Sequence, residues 1–228
     1  MSPEAGFAAL AATWPAAATR DLGPVRLRIG AGGGARVSAA TLEGPFDQDD
    51  IAAAEAAMRG EGRAPLFMVR TGEAALDATL DARGYAVKDP TVILAARLAA
   101  LDAIPAQAHW PPGAAQRALW AEGGIGAARI AVMERAGGPK AVLHHPGGCA
   151  FVARHGEIAM LHALEVTPAA RRRGTGRALM AMAAGWAHEQ DCAWLALAVT
   201  RANAPARALY AKLGYEETAA YHYRSAPA

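Results

Sequence analysis

The sequence has few cysteines, no long apolar run and little charge of one sign. Its only cysteines, Cys149 and Cys192, are too few for a disulfide framework or a cysteine-ligated zinc site, so we expect free thiols in a reducing cytoplasm. No apolar run approaches the ~20 residues that a membrane span needs. The alanine-rich N-terminus lacks the basic start of a signal peptide. A net charge of +2 with scattered arginines does not favour nucleic acid as a partner. These absences predict a soluble globular protein with no membrane, nucleic acid or metal partner.

What the sequence does contain is an alternation of short apolar strands and amphipathic helices, separated by glycine and proline. The predicted helices are 7–14, 47–59, 73–83, 114–120, 126–135, 177–189 and 205–213. The predicted strands are 25–29, 36–41, 66–70, 85–98, 141–145, 149–154, 158–166, 194–199 and 216–224. Residues 99–112 contain three prolines and little periodicity, which makes them the best candidate for a domain boundary.

An internal repeat relates the two halves of the chain. Residues 65–85 parallel residues 194–215, and both segments read strand, helix, Gly-Tyr, strand. The alignment that places Tyr85 on Tyr215 also places residues 41–46 on residues 171–176. Residues 41–46 read TLEGPF, which is not a basic glycine-rich turn. We therefore expect one site per chain, in the second half.

The stretch LHALEVTPAARRRGTGRALM, residues 161–180, predicts that site. It reads as a buried strand, a turn of three arginines and two glycines, and the start of a helix. The first N–H groups of a helix lack partners within it and carry partial positive charge, while glycine lets a phosphate approach the backbone. The stretch therefore predicts an anion-binding cradle.

Two common nucleotide motifs do not fit. No Gly-Lys-Ser/Thr follows the turn, which excludes a Walker loop, and a dinucleotide fingerprint fails at its third glycine, where Leu179 stands. Gly30–Gly34 also matches a fingerprint formally, but a β-leaning segment follows it, so a glycine hairpin is favoured. A kinase or dehydrogenase is thereby disfavoured.

The arginine–glycine turn together with the downstream segment Asn203–Tyr215 resembles the GNAT superfamily of acyl-CoA-dependent N-acetyltransferases. The resemblance covers roughly residues 111–224 and is strongest to the arylalkylamine acetyltransferases around LHALEVTPAARRRGTGRAL. It implies acetyl-CoA as co-substrate, with the pyrophosphate on the turn and the pantetheine arm beside the strand end. The implied acetyl-CoA contacts are Leu164, Glu165, Val166, Arg171, Arg172, Arg173, Gly174, Thr175, Gly176, Arg177, Asn203, Ala206 and Tyr210.

Acetyl transfer to an amine needs a base, a donor to the oxyanion and an acid for the departing thiolate. Tyr210 matches the family's helix tyrosine and is the candidate acid; the alternative is a packing aromatic. His162 is the first candidate base, because it shares strand parity with Leu164 and Val166 and an ordinary histidine pKa of ~6.5 suits the task. A buried core histidine is the alternative. Glu165 has the opposite parity, so we expect it to face away, and it is the second candidate.

The arylalkylamine acetyltransferases, which the chain resembles here, carry His-x-His where this chain has Met160-Leu161-His162. Only the second histidine is therefore present. Weaker candidates border the expected acceptor site or carry histidines without a partner at ligand spacing. They are Trp110, Trp120, Glu122, His144, His145, Tyr221, His222 and Tyr223.

We predict an α+β protein with three α/β/α layers around a mixed central sheet. A catalytic GNAT domain at 101–228 follows a degenerate GNAT-like half at 1–100, in a monomer or a homodimer. The implied reaction is direct transfer of acetyl from acetyl-CoA to the primary amine of a small molecule or peptide. An acyl-CoA-binding sensor or scaffold without transfer is the alternative.

Overall fold

Helices and strands alternate along the chain in a mixed α+β arrangement. The structure is a computed structural model that describes residues 1–227. The helices are α1 (Pro3–Thr13), α2 (Gln48–Gly60), α3 (Ala74–Ala82), α4 (Ala114–Glu122), α5 (Ala127–Arg135), α6 (Thr175–Glu189) and α7 (Ala204–Lys212). The strands are β1 (Ala18–Leu22), β2 (Val25–Ile29), β3 (Thr41–Leu42), β4 (Leu66–Arg70), β5 (Ala86–Arg97), β6 (Ala108–His109), β7 (Lys140–His145), β8 (Gly148–His155), β9 (Ile158–Val166), β10 (Trp194–Thr200) and β11 (Glu216–Ser225). None of the described helices is long and apolar enough to cross a membrane.

The predicted strand at 36–41 is wrong. Residues 35–37 form a 3-10 helix, and only Thr41 and Leu42 pair with β2. The Ser38 hydroxyl donates to the Gly34 carbonyl at 2.9 Å, and the Ser38 and Ala39 N–H groups both donate to the Ala35 carbonyl. These local bonds compete with a strand ladder for the same backbone groups.

The described chain forms two compact units. Unit 1 comprises residues 1–15, 93–199 and 203–218, and unit 2 comprises residues 16–92, 200–202 and 219 onward. This division differs from the predicted boundary at residue 100, because residues 1–15 and 93–100 belong to unit 1, while residues 200–202 and 219 onward belong to unit 2. The buried residues Ala9, Leu10 and Thr13 of α1 face β8 and β9 of unit 1.

Unit 1 contains a run of mixed-sheet strands in the order β10-β9-β8-β7-β6. The pair β9–β10 is parallel, and the pairs β9–β8, β8–β7 and β7–β6 are antiparallel. A Cβ atom at Gly148 would lie 2.7 Å from Thr175 and 3.0 Å from Leu179, so α6 covers that face of the sheet. Helices α1 and α4 contact β8 and β9 through the other face. The predicted arrangement of three α/β/α layers around a mixed sheet is confirmed.

The internal repeat is visible in backbone hydrogen bonds. The Tyr85 N–H donates to the Leu80 carbonyl at 3.0 Å after α3, and the Tyr215 N–H donates to the Tyr210 carbonyl at 3.1 Å after α7. Both helices end before a glycine in the left-handed region, Gly84 with φ 78° and Gly214 with φ 83°. Positive φ favours glycine at this position, which explains why the repeat preserves it.

Unit 2 has its own apolar core, formed by α2, α3, β2 and β4. Its largest fully buried side chains include Ile51, Met58, Phe67, Leu76 and Leu80. The α2 helix begins with a capping box in which Asp47 accepts from the Asp50 N–H and the Asp50 side chain accepts from the Asp47 N–H.

A buried arginine in unit 2 joins β11 to α3. Arg224 is 7% exposed and donates to Asp77 at 2.7 Å, to Asp81 at 2.7 Å and to the Tyr85 carbonyl at 2.8 Å. His222 also contacts Asp77, at 2.8 Å. The hydrogen bond from Arg224, followed by that from His222, lowers the pKa of Asp77 below its ordinary value. Asp77 is therefore favoured in its charged form in the folded state.

We expect Asp77→Asn to lower the free energy of unfolding at neutral pH. Because the folded-state pKa of Asp77 is depressed, its contribution is present above the unfolded pKa of ~4 and is lost as the pH falls below it. The gap between the variant and the wild type should therefore close at acidic pH in urea unfolding curves. Asp89→Asn, an exposed position where asparagine tolerates the positive φ of 46°, is the control. A gap that persists unchanged to pH 3 would contradict the assignment.

Candidate active site

The parallel strands β9 and β10 part before they end. In the described backbone they pair from Ile158↔Trp194 to Leu161↔Leu197 and no further, although β9 continues to Val166. Beyond Leu161, the edge of β9 is therefore not paired with β10, which leaves a place where an extended ligand can lie along the strand. Leu164, Glu165 and Val166, the predicted pantetheine contacts, lie on this partly exposed segment.

A β-bulge at Ala163 changes which way the side chains of β9 point. Ala163 has φ 51°, and the ladder with β8 steps three residues on β9, from His162 to Glu165, against two on β8, from Phe151 to Cys149. One extra residue reverses the alternation of a strand. The indole Nε1–H of Trp120, a fully buried residue, donates to the Ala163 carbonyl at 2.8 Å and holds the bulge in place.

The bulge overturns the parity argument drawn from the sequence. Glu165 was expected to face away from His162, but both lie on the sheet face covered by α1 and α4, so that prediction is wrong. Val166 pairs with Gly148 and lies on the α6 face, so its predicted shared face with His162 is wrong too. The parity rule assumes a regular strand, and nothing in Ala-Leu-Glu signals the extra residue.

His162 is an interior residue. It is 5% exposed, its Nε2 lies 2.8 Å from the Thr13 hydroxyl, and its ring lies beside those of Trp14 (5.0 Å) and Phe151 (6.0 Å). The Thr13 hydroxyl donates its single proton to the Ala9 carbonyl at 2.6 Å. Its oxygen therefore accepts from His162, which puts a proton on Nε2. No pattern in the sequence indicates this pairing, because the two residues are 149 positions apart.

Glu165 is only partly buried, and its carboxyl group lies against Gly123 at the end of α4. Burial raises the pKa of Glu165 above its ordinary value, and the charges of Arg171 and Arg129 oppose part of that rise. A carboxyl group with a raised pKa is a stronger base than an exposed one. Glu165 therefore stays a candidate general base.

Tyr210 lies on α7 and is 7% exposed, with its ring centroid 6.1 Å from that of Tyr215. Burial, with a smaller contribution from the charge of Glu165, raises the pKa of Tyr210 to about 12. The phenol therefore keeps its proton at neutral pH and can donate it. Cys149 is fully buried on β8, and burial raises its pKa to about 12, so its thiol is a poor nucleophile there.

The arginine–glycine turn joins β9 to α6. Its three arginines, Arg171, Arg172 and Arg173, are exposed, and Arg171 donates to the Val166 carbonyl at 3.2 Å. Arg172 has φ 59° and Gly174, the N-cap of α6, has φ 87°. The first intrahelical bond runs from the Ala178 N–H to the Gly174 carbonyl. The N–H groups of residues 175–177 thus have no partner within the helix, which is the arrangement that binds an anion.

The remaining predicted contacts surround this turn. Thr175 is buried against Gly148, a Cβ at Gly176 would lie 3.2 Å from Leu209 of α7, and Arg177 pairs with Asp102 at 3.1 Å. Asn203 caps α7, accepting through Oδ1 from the Ala206 N–H at 3.2 Å. Because these two predicted contacts bond to each other, the structure also gives them a role in forming the helix.

The weaker candidates separate into different settings. Trp120 holds the bulge, and Trp110 lies 4.7 Å below the Lys140 ammonium group. His144 and His145 are half-buried on β7. Among the described residues, no group of three His, Cys, Asp or Glu side chains could hold a metal ion. Tyr221, His222 and Tyr223 belong to unit 2.

Comparison with known proteins bears on the fold and on the family of the second half of the chain. Residues 109–215 match the family model described as Acetyltransferase (GNAT) family. A GCN5-related N-acetyltransferase from Kribbella flavida superposes with a TM-score of 0.73 at 18% identity, over 100% of this chain and 96% of that chain. One from Sphaerobacter thermophilus gives 0.63 at 13% identity, over 83% of this chain and 73% of that chain.

A tandem GNAT protein from the clavulanic acid biosynthesis pathway gives a TM-score of 0.59 at 16% identity, over 90% of this chain and 78% of that chain. At these identities the structural likeness shows the fold alone. No curated protein sequence matches. The fold and the family model agree with the resemblance read from the sequence: the chain carries, at residues 109–215, a domain of the acetyltransferase (GNAT) family.

Proposed function

We propose that this protein transfers an acetyl group from acetyl-CoA to the primary amine of a small molecule or peptide, by direct attack in a ternary complex. The observation that carries the proposal is the parting of β9 and β10 directly before the Gly174-capped helix. Glu165, with its raised pKa, stands on the parted segment, and its charge acts on the buried phenol of Tyr210.

The residues present fit acetyl-CoA. The N–H groups of residues 175–177 and the exposed arginines 171–173 supply donors and positive charge for the pyrophosphate. Backbone groups of residues 164–166 supply hydrogen bonds for the pantetheine arm. A backbone N–H on the same parted strand is the simplest donor to the oxyanion.

Glu165 is the residue that we assign as general base. An alkylammonium group with a pKa near ~10 must lose a proton before it can attack. Glu165 is partly exposed and its pKa is raised, whereas the Nε2 of His162 is already bonded to Thr13 in the interior. His162 then has the role that the sequence left as its alternative, a core histidine.

Tyr210 is the residue that we assign as general acid. The amine nitrogen bonds to the thioester carbonyl carbon, and Glu165 takes the amine proton, directly or through water. The carbon–sulfur bond then breaks, and the phenol proton of Tyr210 passes to the leaving thiolate. The high pKa of the Cys149 thiol disfavours a covalent acyl-cysteine intermediate.

The proposal is tested by release of CoA thiol from acetyl-CoA in the presence of a panel of primary amines. Acetyl-CoA should also raise the melting temperature of the protein, because a ligand that binds only the folded state stabilises it. Stabilisation without thiol release from any amine would support an acyl-CoA-binding sensor instead. A melting temperature indifferent to millimolar acetyl-CoA would contradict both.

Glu165→Gln should lower kcat by about 10²-fold or more while the KM for acetyl-CoA changes little, because the amide keeps the shape but cannot take a proton. The measurement is thiol release across pH 6 to 9. Glu157→Gln, on the exposed turn before β9, is the matched control. An unchanged pH profile in Glu165→Gln would remove the base assignment.

Tyr210→Phe should lower kcat by about 10²-fold, again with acetyl-CoA still bound. Tyr215→Phe is the matched control, because the Tyr215 hydroxyl is buried and has no hydrogen-bond partner among the described residues. Removing that hydroxyl should leave turnover intact and should not lower stability. Equal loss of turnover in both variants would mean that the ring pair, not the acid, is responsible.

Thr13→Val should lower the free energy of unfolding by about 1–3 kcal/mol, because the buried Nε2–H of His162 loses its acceptor. Thr13→Ser should restore most of that loss. If His162 is a core residue, kcat at saturating substrates should change far less than in Glu165→Gln. A collapse of kcat in Thr13→Val with stability preserved would return His162 to the role of base.

A further inference from the structure

We propose that Gly123, at the C-terminal end of α4, is a positioning residue that seats the carboxyl group of Glu165. This inference rests on the proposed function, in which Glu165 is the base. Gly123 would act by leaving space where any other residue has a side chain.

The missing side chain leaves space that the carboxyl group occupies. A Cβ atom at Gly123 would lie 2.7 Å from Glu165 Cδ, 3.0 Å from Oε2 and 3.1 Å from Oε1. All three carboxyl atoms surround that one position, so the group lies flat against the Gly123 backbone. Any side chain at 123 would displace it.

Backbone conformation does not explain the glycine. Gly123 has φ −80° and ψ 6°, and the non-glycine residues Glu61, Arg83 and Leu213 have nearly the same conformation at the ends of other helices in this chain. Its neighbour Gly124 differs, since its φ of 78° favours glycine and nothing lies within 4 Å of its Cβ position. Gly126 has φ −84° with nothing within 4 Å, so it needs neither the conformation nor the space. Among these three glycines, Gly123 is the one at which a side chain would collide with a neighbouring group.

The contact is set by a fixed geometry. Trp120 precedes Gly123 by three residues, which puts both on one face of α4. Its indole N–H holds the Ala163 carbonyl at 2.8 Å, two residues before Glu165 on β9. The last turn of α4 therefore makes two contacts with β9. Trp120 hydrogen-bonds to the bulge, and Gly123 leaves space for the carboxyl group of Glu165.

This seat also suits a base. The C-terminal end of a helix carries partial negative charge, which disfavours an ionised carboxylate and so acts in the same direction as burial. The other charged or titratable groups that act on Glu165, or on which its charge acts, are Arg129, Arg171, Tyr210 and Cys149. Moving the carboxyl group away from α4 would leave it more hydrated, with a lower pKa, and out of position for the amine.

The test is Gly123→Ala, compared with Gly126→Ala as the matched control. We expect kcat to fall about tenfold or more in Gly123→Ala, because small misplacements of a catalytic group are costly. The KM for acetyl-CoA should be unchanged, and the acidic limb of the kcat/KM profile should move to lower pH. Gly126→Ala should behave as the wild type. Wild-type turnover and pH profile in a folded Gly123→Ala variant would overturn the inference.

A second measurement does not depend on activity. Glu165→Asp withdraws the carboxyl group by one methylene from the position of the new Cβ, so the effects of Gly123→Ala and Glu165→Asp on the melting temperature should not be additive in the double variant. Strictly additive effects of the two changes would mean that no contact exists and would overturn the inference, even if Gly123→Ala folds poorly.

Failure of the proposed function gives a different pattern. If Glu165→Gln turns over like the wild type, the base assignment fails and the inference falls with it. If Glu165→Gln is inactive while Gly123→Ala is fully active, the base assignment stands and only the seat at Gly123 is refuted.

Discussion

The hydrogen bond from the Trp120 indole to the Ala163 carbonyl is the interaction on which the arrangement of the site depends. It holds a β-bulge whose extra residue decides the direction of every later side chain on β9. Without the bulge, regular alternation would turn Glu165 toward α6, away from His162. The hydrogen bond donated by the buried indole of Trp120 thus helps to keep the carboxyl group of Glu165 on the sheet face covered by α1 and α4.

The two candidate bases differ in their surroundings rather than in their chemistry. His162 is enclosed by Thr13, Trp14 and Phe151, so its ring nitrogen is committed to a bond within the fold. Glu165 stands on the segment that β10 has left, with part of its surface open. His162 has an ordinary pKa suited to a base, yet its ring nitrogen is used in a hydrogen bond within the core. The ordinary pKa of Glu165 is low for a base, and burial raises it.

Most helices and strands, and the arginine–glycine turn before α6, could be predicted from the sequence because their signals are local. The strands Val25–Ile29 and Leu66–Arg70 were predicted with their observed bounds, and the turn before α6 follows from glycine and arginine spacing. The bulge at Ala163 could not be predicted, since alanine carries no preference for positive φ. The partner of His162 lies 149 residues away, and no periodicity reports such a contact. The expectations that proved wrong thus concern residues whose geometry depends on contacts with parts of the chain far away in sequence.

The position of α1 has a consequence for biosynthesis. The strands that this helix covers, β8 and β9, are synthesised more than a hundred residues after it. Until those strands exist, the buried residues of α1, among them Ala9, Leu10 and Thr13, have nothing to pack against. Closing so long a loop is entropically slow, which makes docking of α1 a late event. The nascent chain therefore carries an apolar helix that must wait for its partner, and the site is enclosed only when nearly all of unit 1 exists.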